Sequence, residues 1–154
     1  PEGRLEAAAV VEAVNVNGGT FTVLGIAVLT DVSTSFEDKL LEQQTFGLRD
    51  LRIGDWVDVR GFEDGQGGFV AQQVERDEAE DEVELRGTAE SVTAPTFSIL
   101  GVSIVTNAAT EFEGTSENPI SAQMFFDAAE GAIVEVDGVW DGSVLTAHQA
   151  SLED

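Results

Sequence analysis

Near the start of the chain apolar and polar positions alternate. Leu5, Ala7, Ala9, Val11 and Ala13 fall on one side, with Glu6, Ala8, Val10 and Glu12 on the other. A period of two predicts a strand with one buried face. Asn17-Gly18-Gly19 then supplies turn chemistry before Phe21 and Val23 resume the pattern, which predicts a hairpin. Gly25 interrupts the apolar run that continues to Leu29, and a glycine there marks a bulge, a bend or a turn. Further on, Val57 and Val59 alternate with Trp56, Asp58 and Arg60. A turn at Asp64-Gly65 returns the chain through Phe69 to Val74, giving a second hairpin.

The whole succession occurs twice. The run from Thr20 to Thr30 (TFTVLGIAVLT) is answered by the run from Thr96 to Thr106 (TFSILGVSIVT), and the match extends through Thr34, Phe36 and Glu37 to Thr110, Phe112 and Glu113. Gly54 to Gly61 is answered by Gly131 to Gly138, each followed by Asp-Gly, and Leu5 to Val14 aligns with Val83 to Val92. Three blocks in one order define a tandem duplication. The copies occupy residues 1–76 and 83–154, joined by an acidic linker at 77–82. In the second copy the loop after the first strand is two residues shorter, around Ala94-Pro95. There Asn118 reads as an N-cap and Pro119 as the first helical residue. Ala122, Phe125, Phe126 and Ala129 follow at helical spacing, and Gly131 is the stop. The first copy has only a weaker version of this between Leu40 and Leu51. The expected fold is all-β with a minor α component. It comprises two tandem small OB-like β-barrels, each of about five strands with a short helix or loop before the last hairpin. An open sandwich is the alternative.

Charge narrows the partners. The 154 residues carry 30 acidic against 7 basic side chains, a formal charge of −23, yet 42% are hydrophobic, enough for a core. A globule of this mass exposes roughly 7,500 Å². Its net charges then lie about 18 Å apart, some two Debye lengths in physiological salt, so self-repulsion matters chiefly at low ionic strength. Such a surface repels phosphate backbones and anionic bilayers, so neither a nucleic acid nor a membrane surface is an expected partner. No run reaches the ~18 apolar residues of a membrane span. Without cysteine there is no disulfide, thiolate nucleophile or cysteine-ligated metal. The chain begins at Pro1, so an export signal, a lipid anchor or a larger chain would lie upstream. The charged run Glu75 to Glu82 offers oxygen ligands for calcium but lacks the spacing and turning glycine of an EF-hand, and reads as a solvated connector.

Candidate chemistry is sparse. His148, the only histidine, lies in a strand-like run with no nucleophile turn to serve, and one histidine without cysteine makes no zinc site. Thirty carboxylates make any one pair uninformative as an acid–base dyad. Gly65-Gln66-Gly67-Gly68 lies at a hairpin tip, not before a helix, so it is no phosphate loop. No catalytic residue, metal or cofactor is expected, and the chain reads as non-enzymatic. Trp56 and Trp140 are the candidate ligand-binding residues. Trp56 matches Ile133 in the other copy, which favours packing, whereas Trp140 matches Glu63 and is not required by packing. Arg49, Arg52 and Arg60 cluster in the first copy, where they either receive an acidic partner or pair locally with carboxylates.

Taken together, these blocks resemble the bacterial domain family of unknown function DUF5666. Its pattern is a T-F-x-V-x-G strand pair, a T-x-F segment, then L-x-x-G-D-x-V-x-V-x-G, D-G and x-A-x-x-V. Here these are Thr20 to Gly25, Thr34 to Phe36, Leu51 to Gly61, Asp64-Gly65 and Ala71 to Val74. The second copy departs from it, with Ala132 in place of the aspartate and Ala150 in place of the late valine. The resemblance implies export to the bacterial envelope or beyond, periplasmic, outer-envelope or secreted, often as a lipoprotein or a repeat in a larger chain. It implies no known activity and carries no catalytic residues. The expected role is therefore an extracytoplasmic scaffold or protein-interaction unit, the alternative being a small-ligand or carbohydrate-binding module on a barrel face.

Overall fold

The computed structural model describes residues 4–64, 66 and 68–153. Gly65 and Gly67, which belong to the Asp64-Gly65 turn and the glycine-rich tip, lie outside the described residues. The residues up to Asp81 form one compact unit and those from Glu82 a second.

The first unit is built from β1 (Arg4–Asn15), β2 (Thr20–Val23), β3 (Ile26–Leu29), β4 (Ser35–Asp38), β5 (Trp56–Glu63) and β6 (Phe69–Asp77). β1 is long enough to be shared. Its first part, from Arg4 to Val10, pairs antiparallel with β5, and its last part, from Val11 to Asn15, pairs with β2. β2 pairs with β3, β3 runs parallel to the start of β6, and β6 pairs back with β5. The pairings therefore run in a cycle, β1–β2–β3–β6–β5–β1. Leu5, Ala7, Ala9, Val11, Phe21, Val23, Val28, Val57, Val59, Phe69, Ala71 and Val74 are all buried in this unit. They are the apolar positions of the alternating pattern.

The second unit repeats the plan with β7 (Val83–Thr93), β8 (Thr96–Ile99), β9 (Val102–Val105), β10 (Glu111–Glu113), β11 (Pro119–Ile120), helix α1 (Ala122–Ala129), β12 (Ile133–Trp140) and β13 (Val144–Leu152). The cycle β7–β8–β9–β13–β12–β7 has the same neighbours and directions.

The coarse expectation, an all-β chain with one short helix, is what the structure shows. The finer expectation, two distinct OB-like barrels of about five strands each, is not what the structure shows: the third strand of each copy is broken. After β3 the chain turns at Asp31–Thr34, and β4 then runs along the same edge of β6. Thr34 fixes that break by accepting from the Asp31 N–H and donating to the Ala71 carbonyl. Thr110 does the same between Asn107 and Ala147. The motif threonines are thus structural. The interrupting glycine is resolved as a turn: Leu24-Gly25 and Leu100-Gly101 have positive φ at both positions, which suits a two-residue hairpin.

The helix lies where its spacing predicts, but its cap is different. Ser121 accepts from the Met124 N–H, while the Asn118 carbonyl accepts from Gly114 in the β10–β11 hairpin and Pro119 lies in β11. Pro119 and Ile120 pair with β10 as a short strand, so the helix starts after them and its cap lies three residues on. In the first unit the equivalent segment holds only a 3-10 turn at Leu48–Asp50.

Candidate functional site

Trp56 is 5% exposed, so its ring belongs to the packed interior. Trp140 is half-buried at the end of β12, opposite Leu145. His148 is exposed and contacts the Glu82 carboxylate. The three arginines do separate things. Arg60 reaches Glu6 at 3.3 Å and Asp58 at 3.8 Å, Arg52 donates to the carbonyls of Arg49 and Leu51, and Arg49 lines a groove described below.

Two carboxylates are strongly shifted. Asp38 sits on β4 with a fully buried side chain and accepts from both Nε and Nη2 of Arg76, at 3.1 and 2.7 Å. It also accepts from the backbone N–H groups of Leu40, Leu41 and Gln43. The Arg76 guanidinium, more than these amides, holds its carboxyl far below the usual carboxylate range. Arg76 also reaches Asp55 at 3.4 Å and stacks over the Phe46 ring at 4.7 Å. This network organises the segment between β4 and β5.

Asp58 moves the other way. Burial, then the neighbouring Glu6 charge, pushes it up to about 6, with Arg60 opposing. A carboxyl whose folded value is raised contributes stability that is present at low pH and lost as pH rises through that value. Asp58→Asn is therefore expected to flatten the pH dependence of unfolding between about pH 4 and 6 and to stabilise the protein by ~1 kcal/mol at neutral pH. Urea midpoints measured across that range test this; an unchanged slope would show that burial and the Glu6 charge do not raise Asp58. The corresponding place in the second unit is filled differently. Asp137 stands where Arg60 stands, facing Glu84 across the strand pair, and Glu84, Glu135 and Asp137 bring oxygens within 4.8 Å of one another.

Sequence reasoning missed the cavities because several distant segments build them. In the second unit, one of ≈ 490 Å³ is lined by Ala94, Pro95, Thr106, Phe112, Phe126 and Asp127 among others. Another of ≈ 510 Å³ is lined by Glu111, Glu113, Pro119 and Ile120, and the two share Asn107, Ala108, Phe112 and Ala122. They form one groove between α1 and β10. Its floor is aromatic: the Phe126 ring packs edge-on against Phe97, Phe112 and Phe125 with centroids 5.2–6.2 Å apart. In the first unit a cavity of ≈ 400 Å³ is lined by Val16 and residues 45–50. By the repeat alignment Val16 matches Ala94, Arg49 matches Phe126 and Asp50 matches Asp127. The groove between the first loop and the segment before β5 or β12 is thus a duplicated feature whose chemistry has diverged.

Two closed cycles of one strand order, each with this groove, define a tandem pair of β domains of a single kind. The chain belongs to the family of domains of unknown function DUF5666, whose profile matches residues 9–75 and again residues 86–149. No curated protein and no solved structure matches the chain.

Proposed function

We propose that the chain is a non-enzymatic binding module, a scaffold or interaction unit that engages its partner through the duplicated groove. The observation that carries this reading is the recurrence of an open groove at matching positions in both units, with linings that differ in chemistry. A feature needed only for folding would be expected to keep its lining. The strongly shifted carboxylates, Asp38 and Asp58, are held by Arg76 and Arg60 and line neither groove, which favours binding over acid–base catalysis. The cycle itself we read as OB-like, since its first strand is shared by the second and fourth while its third and last run parallel. An extracytoplasmic setting rests on the resemblance to exported bacterial proteins.

The reading is tested by thermal unfolding of the chain with sugars, peptides and calcium at matched ionic strength. A ligand at about a hundred times its Kd adds ~2.7 kcal/mol. A shift of that size beyond the salt control, lost on substitution in a groove, supports the module. A small sugar that gives this shift would favour the carbohydrate-binding alternative, since cavities of ~300–1,000 Å³ suit small molecules. If only salt raises the midpoint, the groove reading fails.

A further inference from the structure

We infer that the groove of the second unit takes a basic peptide segment that places a cationic side chain over Phe126 and an apolar one against Phe112 and Pro95. This rests on the groove reading above and names the partner class. The first unit shows the local chemistry with its own residues. There the Arg76 guanidinium stacks on Phe46, which also lines the first groove, and is neutralised by Asp38 and Asp55. The second unit does not keep these partners, since Phe46, Asp38 and Asp55 align with Gln123, Gly114 and Ala132, but its groove carries aromatic and acidic residues of its own. Phe126 forms the floor, and Glu111, Glu113 and Asp127 stand at the groove, with no Lys or Arg among the residues that line it.

The counterpart of Arg76, by strand register, is Leu152. From Glu82 onward the sequence has 13 acidic residues and one arginine, so 1 − 13 = −12. That arginine, Arg86, lies on β7 and pairs with Glu153 at 3.4 Å. A cation at the groove therefore has to come from a partner. An aromatic face in a groove that also carries carboxylates favours Arg or Lys through both the ring quadrupole and the nearby charge. The apolar share of the lining selects against a purely polar polycation.

The test uses the whole chain and fluorescein-labelled octapeptides read by anisotropy at about 50 mM salt, where charge is weakly screened. One peptide carries Arg and Leu, one Arg and Ser at equal charge, and one Glu and Leu. The Arg/Leu peptide is expected to bind with one site per chain, at least ~10-fold tighter than either of the others. Phe126→Ala is expected to weaken it ~10-fold. Asp127→Lys, an exposed change on the helix that leaves the core intact, is expected to do the same. Glu63→Gln, which removes one exposed charge from the first unit, should have little effect. Equal binding of the Arg/Ser peptide, or equal effects of Glu63→Gln and Asp127→Lys, would mean diffuse attraction to an acidic surface and would overturn the inference. Binding of a neutral oligosaccharide or the Glu/Leu peptide in place of Arg/Leu, lost on Phe126→Ala, would overturn the peptide inference but keep the groove reading. If no probe responds to Phe126→Ala, Asp127→Lys or Arg49→Ala, both fail.

Discussion

Replacing Arg76 with methionine is expected to cost the first unit about 3–5 kcal/mol, because it leaves the Asp38 carboxylate buried without its counter-charge. The three backbone amides that Asp38 also accepts from soften the loss but do not neutralise the charge. The sign of the pH effect separates this cause from lost packing. In the wild type the depressed carboxyl contributes stability above the unfolded value, near 3.9, and loses it as pH falls toward its folded value. In the variant Asp38 gains by taking a proton, so the deficit should shrink between neutral pH and about pH 3. A deficit constant with pH would mean that Arg76 acts through its stem and its contact with Phe46. Urea unfolding of the Trp140→Phe chain, in which Trp56 alone reports on the first unit, provides the measurement. Asp38→Asn combined with Arg76→Met should cost less than the two changes added, since each partner is the other's reason for being there.

That pair also shows where sequence reading ends. The two residues are 38 positions apart, and no periodicity marks either as buried. Charged residues are rarely placed inside unless paired, and pairing is visible only once β4 lies beside β6. The strands were legible for the opposite reason. A period of two carries its own burial assignment, and Leu5, Ala7, Ala9 and Val11 are buried as their alternation predicts, whereas Ala13, beyond the register shift after Val11, is exposed and Ala8 on the other side is buried. Helix α1 was legible in its apolar positions but not in its start, since Asn118 and Ser121 are both good caps and β11 decided between them. Trp56 was ambiguous because one tryptophan on the polar side of a strand can be platform or packing, and only the folded chain shows it buried. The grooves were not legible at all. Pro95, Asn107, Phe112 and Phe126 come from separate segments of the second unit, and only the closed strand cycle brings them together.

Gly138→Ala should be at least as damaging to the second unit as Arg76→Met is to the first. The reason is contact, not backbone freedom, because φ at Gly138 lies outside the left-handed range. A Cβ there would stand 2.0 Å from the Thr146 carbonyl oxygen, 2.9 Å from its carbon and 3.0 Å from the Ala147 Cα. All three are backbone atoms of the neighbouring strand, so no side chain can swing away. Register between β12 and β13 shifts at this position, and the bulge needs that close approach. A Cβ added at Gly61 would likewise stand 1.9 Å from the Val70 carbonyl oxygen in the first unit, which explains why the repeated motif ends in glycine. Forcing the strands apart should cost ~3 kcal/mol or more, at the upper end of overpacking. Gly47→Ala is the matched control: its φ is −153°, an added Cβ meets nothing within 4 Å, and its cost should stay within about 0.5 kcal/mol. Urea unfolding followed by far-ultraviolet dichroism and by Trp140 fluorescence compares the two. If Gly138→Ala unfolds at the wild-type midpoint, the two strands can separate freely there. The motif glycine would then specify the turn that follows, not the bulge.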